Sequence, residues 1–332
     1  MVSPCRGSGR ISSRKLILLT SWNIKRFQGP IRVLLASNTT NTHKEQQMDW
    51  SHLTLCILNA YFSYTATILN IVAIYAIMKT LSLSRNFKTL LLSLAVSDLG
   101  VGLLAQPLFV AYLAMDSTQK NETNESYDVI YTATLIPMNF FLCASLFSVT
   151  ALCADRFLAV RLHLRYQSLV TYKRLGTAVI SIWVISALIS VIRLFIPKNI
   201  MYVIFVVFTS ACIVNVTSLS VKLYLTLRRH INQIQVPQVA QTGQGEIVQG
   251  KRKSAMASLF VYLVFIVCHF PHICSLFIIT AICEPRIDVQ HLQFYTITLP
   301  LLNSTLNPLI YCWKMKQIRN TIMNKLRVLQ DG

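Results

Sequence analysis

The sequence predicts an all-α membrane protein: a bundle of seven transmembrane helices with a short C-terminal amphipathic surface helix. Three observations predict it. Of the 332 residues 54% are hydrophobic and 13% charged, about half the charged share of a soluble domain. Apolar runs recur seven times between residues 48 and 313, each reaching the about 20 residues that a spanning helix needs. Lys and Arg collect at alternate ends of those runs, which marks cytoplasmic loops. The net charge of +19 therefore reports membrane orientation and not a nucleic-acid partner.

The elements follow in order. Residues 1–47 form a basic leader, with Arg6, Arg10, Arg14, Lys15, Lys25, Arg26, Arg32 and Lys44 against the single acid Glu45. Its apolar patches are too short to span, it lacks the apolar core and cleavage site of a signal peptide, and its composition predicts disorder. Met48 directly precedes the first well-formed run, so translation is expected to start there and leave the leader out of the mature protein. The seven-transmembrane domain, 48–313, contains the runs His52 to Met78, Thr89 to Leu113, Val129 to Ala154, Leu175 to Phe195, Ile200 to Leu227, Ala255 to Ile282 and Val289 to Trp313. Loops are short except 228–254, which is Gln-rich and holds Gly243, Gly245 and Gly250. In the last segment, 314–332, Met315, Ile318, Ile322 and Leu326 share one helical face among basic residues. Such a helix lies on membrane lipid.

Positive charge sets the orientation. The connections after the first, third, fifth and seventh runs carry three, five, six and five Lys or Arg, whereas the opposite side has Lys120, Arg193, Lys198 and Arg286. The multi-pass chain is therefore expected to lie with its N-terminus extracellular. Two glycosylation sequons, at Asn121 and Asn124, then fall on the outer side. The nine cysteines lie mostly within apolar runs and show neither metal-ligand spacing nor a disulfide framework. No nucleophile with a matched base and no phosphate-binding loop is present, so the sequence does not read as an enzyme.

Motifs inside the runs are more specific. Asn70 stands in ILNIVAIYA, Asp98 in LAVSDLGVG, Asp155 and Arg156 in CADRFLAV, Trp183 in the fourth run, Cys268 to Pro271 as CHFP, and Asn303 to Tyr311 as NSTLNPLIY. In this order they resemble the rhodopsin-like (class A) G-protein-coupled receptors over about Leu53 to Leu326. The resemblance implies a receptor that carries an extracellular signal to heterotrimeric G proteins, by a helix rearrangement that exposes Arg156. Asp155, Arg156, Tyr224, Asn307, Pro308 and Tyr311 would form its coupling and activation switch. Asn70, Asp98, Ser145, Asn303, Ser304 and Asn307 match the polar network that in this family holds a sodium ion on the Asp; no other cofactor is implied. Elementary physics agrees, since a carboxylate buried in a membrane helix requires partners or a cation. Cys268, His269 and Pro271 match the hinge of the sixth helix.

Departures from the pattern refine the reading. The family's hinge Trp is His269, and Lys251 stands where many members set an acid against the DR arginine. Asp155 is therefore expected to restrain Arg156 nearly alone, giving ligand-independent signalling. The third run lacks its outer Cys, the link around Ile196 to Ile200 is very short, and the fifth run lacks Pro. These absences resemble the branch of melanocortin, cannabinoid, lysophospholipid and adenosine receptors. The melanocortin acidic cluster falls on Leu108, Tyr131 and Leu135, so a peptide ligand is not implied. The expected ligand pocket comprises Met138, Asn139, Leu142, His269, His272, Leu276 and Leu301, mostly apolar, which suits a small or lipid-like ligand. A non-coupling decoy or scaffold receptor is one alternative function. A seven-helix channel or transporter is a weaker one, for the sequence has no internal repeat and one deep acid.

Overall fold

The computed structural model describes residues 50–118, 125–162, 165–233, 244–281 and 287–330. The chain divides into Met1–Trp50 and Ser51–Gly332, and the helical bundle is the second unit. The leader, Met48 and the sequons at Asn121 and Asn124 lie outside the described residues, as does the Lys251 side chain.

Helix α1 is Trp50–Lys79. Helix α2 runs from Arg85–Gly100 through a π-helical turn, Val101–Ala105, into Gln106–Thr118. Helix α3 is Glu125–Leu162, followed by a single turn at Tyr166–Leu169. Then come α4 (Tyr172–Ile192), α5 (Lys198–Gln233), α6 (Gln244–Ala281), α7 (Ile287–Lys314) and α8 (Lys316–Gln330). Helices α1 to α6 are long and apolar enough to cross a membrane. At 28 residues α7 spans about 42 Å, also sufficient, but Asn303, Ser304, Thr305 and Asn307 dilute its apolar content. All four are buried inside the bundle, so their polarity faces protein and not lipid.

Apolar side chains point both ways, as a membrane requires. Ile68, Ile71, Val184, Leu188, Val207 and Val214 are exposed on the outside of α1, α4 and α5, a surface that lipid tails solvate. The inner core gathers Leu90, Leu94, Val149, Leu152, Val216, Val261, Phe265 and Tyr311. Helix α3 is the central column, packed on α2, α4, α5 and α6.

Polar contacts fix the packing. Trp183 Nε1 donates to Ser93 Oγ at 3.2 Å, and Ser93 pairs with Ser148 at 3.1 Å, joining α4, α2 and α3. Gly102 lets α1 and α2 touch, because a Cβ there would sit 2.8 Å from Thr67 Oγ1 and 3.0 Å from Thr67 N. Ser63 Oγ donates to its carbonyl at 2.7 Å. On α8 the expected apolar face is present: Met315 and Ile318 are buried and Ile322 packs on the same core. Thr321 Oγ1 lies 3.0 Å from Thr80 Oγ1 at the end of α1.

Candidate functional site

Three arrangements succeed one another along α3. At one end Arg156 is 6% exposed and Asp155 4%. A guanidinium cannot discharge itself, so burying it demands partners. Its Nε donates to Asp155 Oδ2 at 3.0 Å, and Nη2 donates to the same oxygen. The Phe87 ring of α2 lies 4.1 Å from Cζ, a cation–π contact. The other Asp155 oxygen accepts from the Tyr166 hydroxyl, while Asn86 Nδ2 donates to Val170 O at 2.9 Å and anchors that turn. Burial and then the adjacent carboxylate push the Tyr166 hydroxyl up to about 12, so it stays a donor at every physiological pH. The expectation that Asp155 restrains Arg156 nearly alone is thereby corrected: Phe87 and Tyr166 share the task.

The two tyrosines of the expected switch differ. Tyr311 is 1% exposed and its hydroxyl has no hydrogen-bond partner among the described residues, leaving it available for a new one. Tyr224 is 49% exposed on α5, off the buried face of that helix. The inward stripe is Val216, Ser220, Leu223 and Leu227, spaced four, three and four residues apart, and Tyr224 falls one residue off it. Ser220 occupies the inward position, with Oγ 3.9 Å from Cys153 Sγ.

Midway along α3 the polar network assembles. Asp98 is fully buried. Its carboxylate accepts from Asn307 Nδ2 at 2.7 Å and from Ser145 Oγ at 3.3 Å, with the Ser304 hydroxyl also in reach. Pro308 cannot donate to the carbonyl four residues before it, that of Ser304. Asn70 Nδ2 takes over this orphaned acceptor at 2.9 Å. The buried Oδ1 atoms of Asn303 and Asn307 have no hydrogen-bond partner among the described residues. Spare oxygen acceptors beside a carboxylate are the donor set of a hard cation.

Next along α6, His269 is buried and stacked on Phe265, with centroids 3.7 Å apart. A carbonyl only accepts, so Nδ1–H of His269 donates to Phe265 O at 2.9 Å. Cys268 is buried beside it, and Pro271 interrupts the helical bonding one turn from Val267.

At the opposite end a cavity of about 320 Å³ opens among α2, α3, α4, α5, α6 and α7, within the size range of ligand pockets. Met138, Asn139, Leu142, His272 and Leu276 line it as expected. His269 does not; it borders a smaller cleft below, which it shares with His272 and Pro300. Leu301 is also displaced from the wall, being wholly buried in the core with Leu55 and Val101.

Sequence reasoning misses the polar rim. Asp116, Tyr131, Arg193, Tyr202 and Gln293 all line the cavity. Arg193 Nη1 donates to Asn139 Oδ1 at 2.9 Å. A signal for it exists: Ser186, Ser190 and Arg193 are spaced four and three residues apart, and both serines are buried, so the same face of α4 carries Arg193 inward.

The chain is also similar in sequence to known proteins. Residues 69–311 match the family model of the 7 transmembrane receptor (rhodopsin family). The chain is 27% identical over 264 residues to melanocortin receptor 4 of Danio rerio, covering 76% of this chain and 77% of that one. It is 26% identical to melanocortin receptor 3 of Homo sapiens over 76% of this chain and 79% of that one. Similarity to adenosine receptor A3 of Ovis aries is 23%, over 83% and 90% of the two chains. The relatives fall in the branch to which the missing cysteine and proline pointed. A seven-helix bundle with DR, NP and CHFP elements in their places, matched by the family model over most of its length, belongs to the rhodopsin family of seven-transmembrane receptors.

Proposed function

We propose that this receptor works in the plasma membrane with its N-terminus outside, takes its ligand in the 320 Å³ cavity and activates heterotrimeric G proteins through Arg156. The observation that carries the reading is the buried, doubly restrained Arg156. A charge held so firmly at a membrane edge rewards any partner that releases it by supplying acceptors, and a partner subunit inserted between α3, α5 and α6 would do so. The end that carries Arg156 is also the one with most of the Lys and Arg, which the positive-inside rule assigns to the cytoplasm.

Activation is then a population shift between two packings, and a ligand drives it only by binding one better than the other. Pro271 and Pro308 lie inside α6 and α7 and weaken the backbone ladder where those helices would bend. The Tyr311 hydroxyl, buried without a partner among the described residues, is placed to gain a hydrogen bond in the active packing.

The donor set around Asp98 fits a sodium ion. Asp98, Ser145, Asn303 and Asn307 would hold it, and the bound ion would compensate the buried carboxylate. Asn70, Ser304 and Asn307 keep α1, α2 and α7 in register there. The test is G-protein activation in cells expressing wild type or Arg156→Ala at equal surface density. Activation should fall to the level of untransfected cells in the variant; unchanged activation would contradict the reading.

A further inference from the structure

Arg193 lies on the wall between two cavities. The ligand cavity of about 320 Å³ is on one side, and a second of about 200 Å³ is on the other. The guanidinium, Tyr131, Leu135, Met201 and Tyr202 line both. The second cavity is otherwise bounded by α3 and the end of α4, with Ile136, Ser190 and Leu194. Leu194 is 49% exposed and Phe195 beside it 81%, so the outer side of this cavity is flanked by exposed apolar surface. Between α4 and α5 there are just the residues 193–197.

An arginine at a helix end ordinarily extends its charge to the water interface. Arg193 instead turns inward, and among the described residues it makes no ion pair. Its hydrogen-bond partner is the neutral Asn139. The cavity's carboxylate, Asp116, belongs to the α2 side, where His52 Nε2 lies 3.2 Å away. A guanidinium of fixed charge and several donors, half-enclosed and paired with an amide, is suited to a ligand oxyanion. Apolar side chains follow on the α3, α5 and α6 walls, Leu135, Met138, Leu142, Phe205 and Leu276, with Thr134 and His272 among them.

We propose that the ligand is a single-chain lipid anion, its carboxylate or phosphate headgroup held by Arg193 and its chain laid along the α3–α5–α6 wall. The cavity between α3 and α4 supplies the entrance from the bilayer. The inference rests on the 320 Å³ cavity being the receptor's ligand site, and it gives the small or lipid-like ligand expected from the sequence an anionic headgroup.

The test is equilibrium binding of radiolabelled oleate to the purified full-length receptor in phosphatidylcholine nanodiscs. Oleyl phosphate, oleyl alcohol, oleylamine and butyrate serve as competitors. Oleate or oleyl phosphate should bind about 10- to 100-fold more tightly than oleyl alcohol, the size of a charge-assisted hydrogen bond. Whichever of the two is tighter identifies the headgroup, and butyrate and oleylamine should be weaker than both. Arg193→Gln should bring the anions down to the affinity of the alcohol. Asn139→Asp places a carboxylate on the guanidinium and should do the same without removing Arg193. Unchanged oleyl alcohol affinity in either variant shows an intact cavity. Equal wild-type affinity for oleate and oleyl alcohol, butyrate binding as tightly as oleate, or a preference that survives both variants overturns the proposal. G protein is absent from this assay. Absence of an anion preference in wild type with intact Arg156-dependent signalling refutes this inference alone, whereas the converse refutes only the coupling.

Discussion

Asp155 and Arg156 are neighbours in sequence, yet what holds them comes from elsewhere: Phe87 on α2, and Tyr166 on the turn beyond α3. On the proposed mechanism both contacts are given up when Arg156 is released. Tyr166→Phe should therefore raise ligand-independent signalling, since it removes a hydrogen bond to a charged group worth about 1.5–3 kcal/mol before solvent screening of this half-buried site. Phe87→Leu should act in the same direction and less strongly. Second-messenger output at matched surface density reads both, and output at or below wild type would contradict the restraint. The chain itself declares the Asp-Arg pair but not its companions, because an aromatic ring and a loop tyrosine carry no motif. The side on which Tyr224 stands in this packing is not legible in the sequence for a related reason. Without a proline to fix the register of α5, a tyrosine near the right depth looks inward, and only the buried stripe of Ser220, Leu223 and Leu227 places it outside.

At the scale of helices the apolar runs are legible because lipid demands about 20 consecutive apolar residues whatever the partner. Their contacts are less so. Gly102 reads as an ordinary membrane glycine until the backbone of α1 is seen 3.0 Å from where its Cβ would stand. Backbone cannot yield as a side-chain tip can, so Gly102→Ala should destabilise by about 1–3 kcal/mol. Gly176 on α4 is the control: nothing lies within 4 Å of its Cβ position, and Gly176→Ala should be neutral or stabilise by about 0.5–1 kcal/mol. Melting of the detergent-solubilised receptor orders the three proteins. A Gly102→Ala variant as stable as wild type would mean that α1 and α2 are not so closely joined. The same scale explains Arg193. A basic residue at the end of a helix counts toward orientation when only the sequence is in hand, and its inward face follows only from the buried serines below it.

Across the whole molecule one helix passes every site: α3 carries Asn139 at the ligand cavity, Ser145 at Asp98 and Arg156 at the far end. From Asn139 to Arg156 it covers about 25 Å at 1.5 Å per residue. The middle station is tied to α7 by a bond that a rearrangement of that helix would change, Asn307 to Asp98. Sodium should therefore stabilise the closed packing. Replacing sodium chloride by an equal concentration of N-methylglucamine chloride is expected to raise basal nucleotide exchange in wild type and to leave Asp98→Asn unaffected. Equal responses of the two proteins would remove the ion from the account.

The central claim is that Arg156 transmits the state of this bundle to a G protein. Its most direct measurement is GTPγS uptake by purified heterotrimers mixed with nanodisc-reconstituted receptor, wild type against Arg156→Ala. The account predicts receptor-dependent uptake with wild type and uptake equal to empty nanodiscs with the variant. Equal uptake by the two receptors, both above empty nanodiscs, would contradict it.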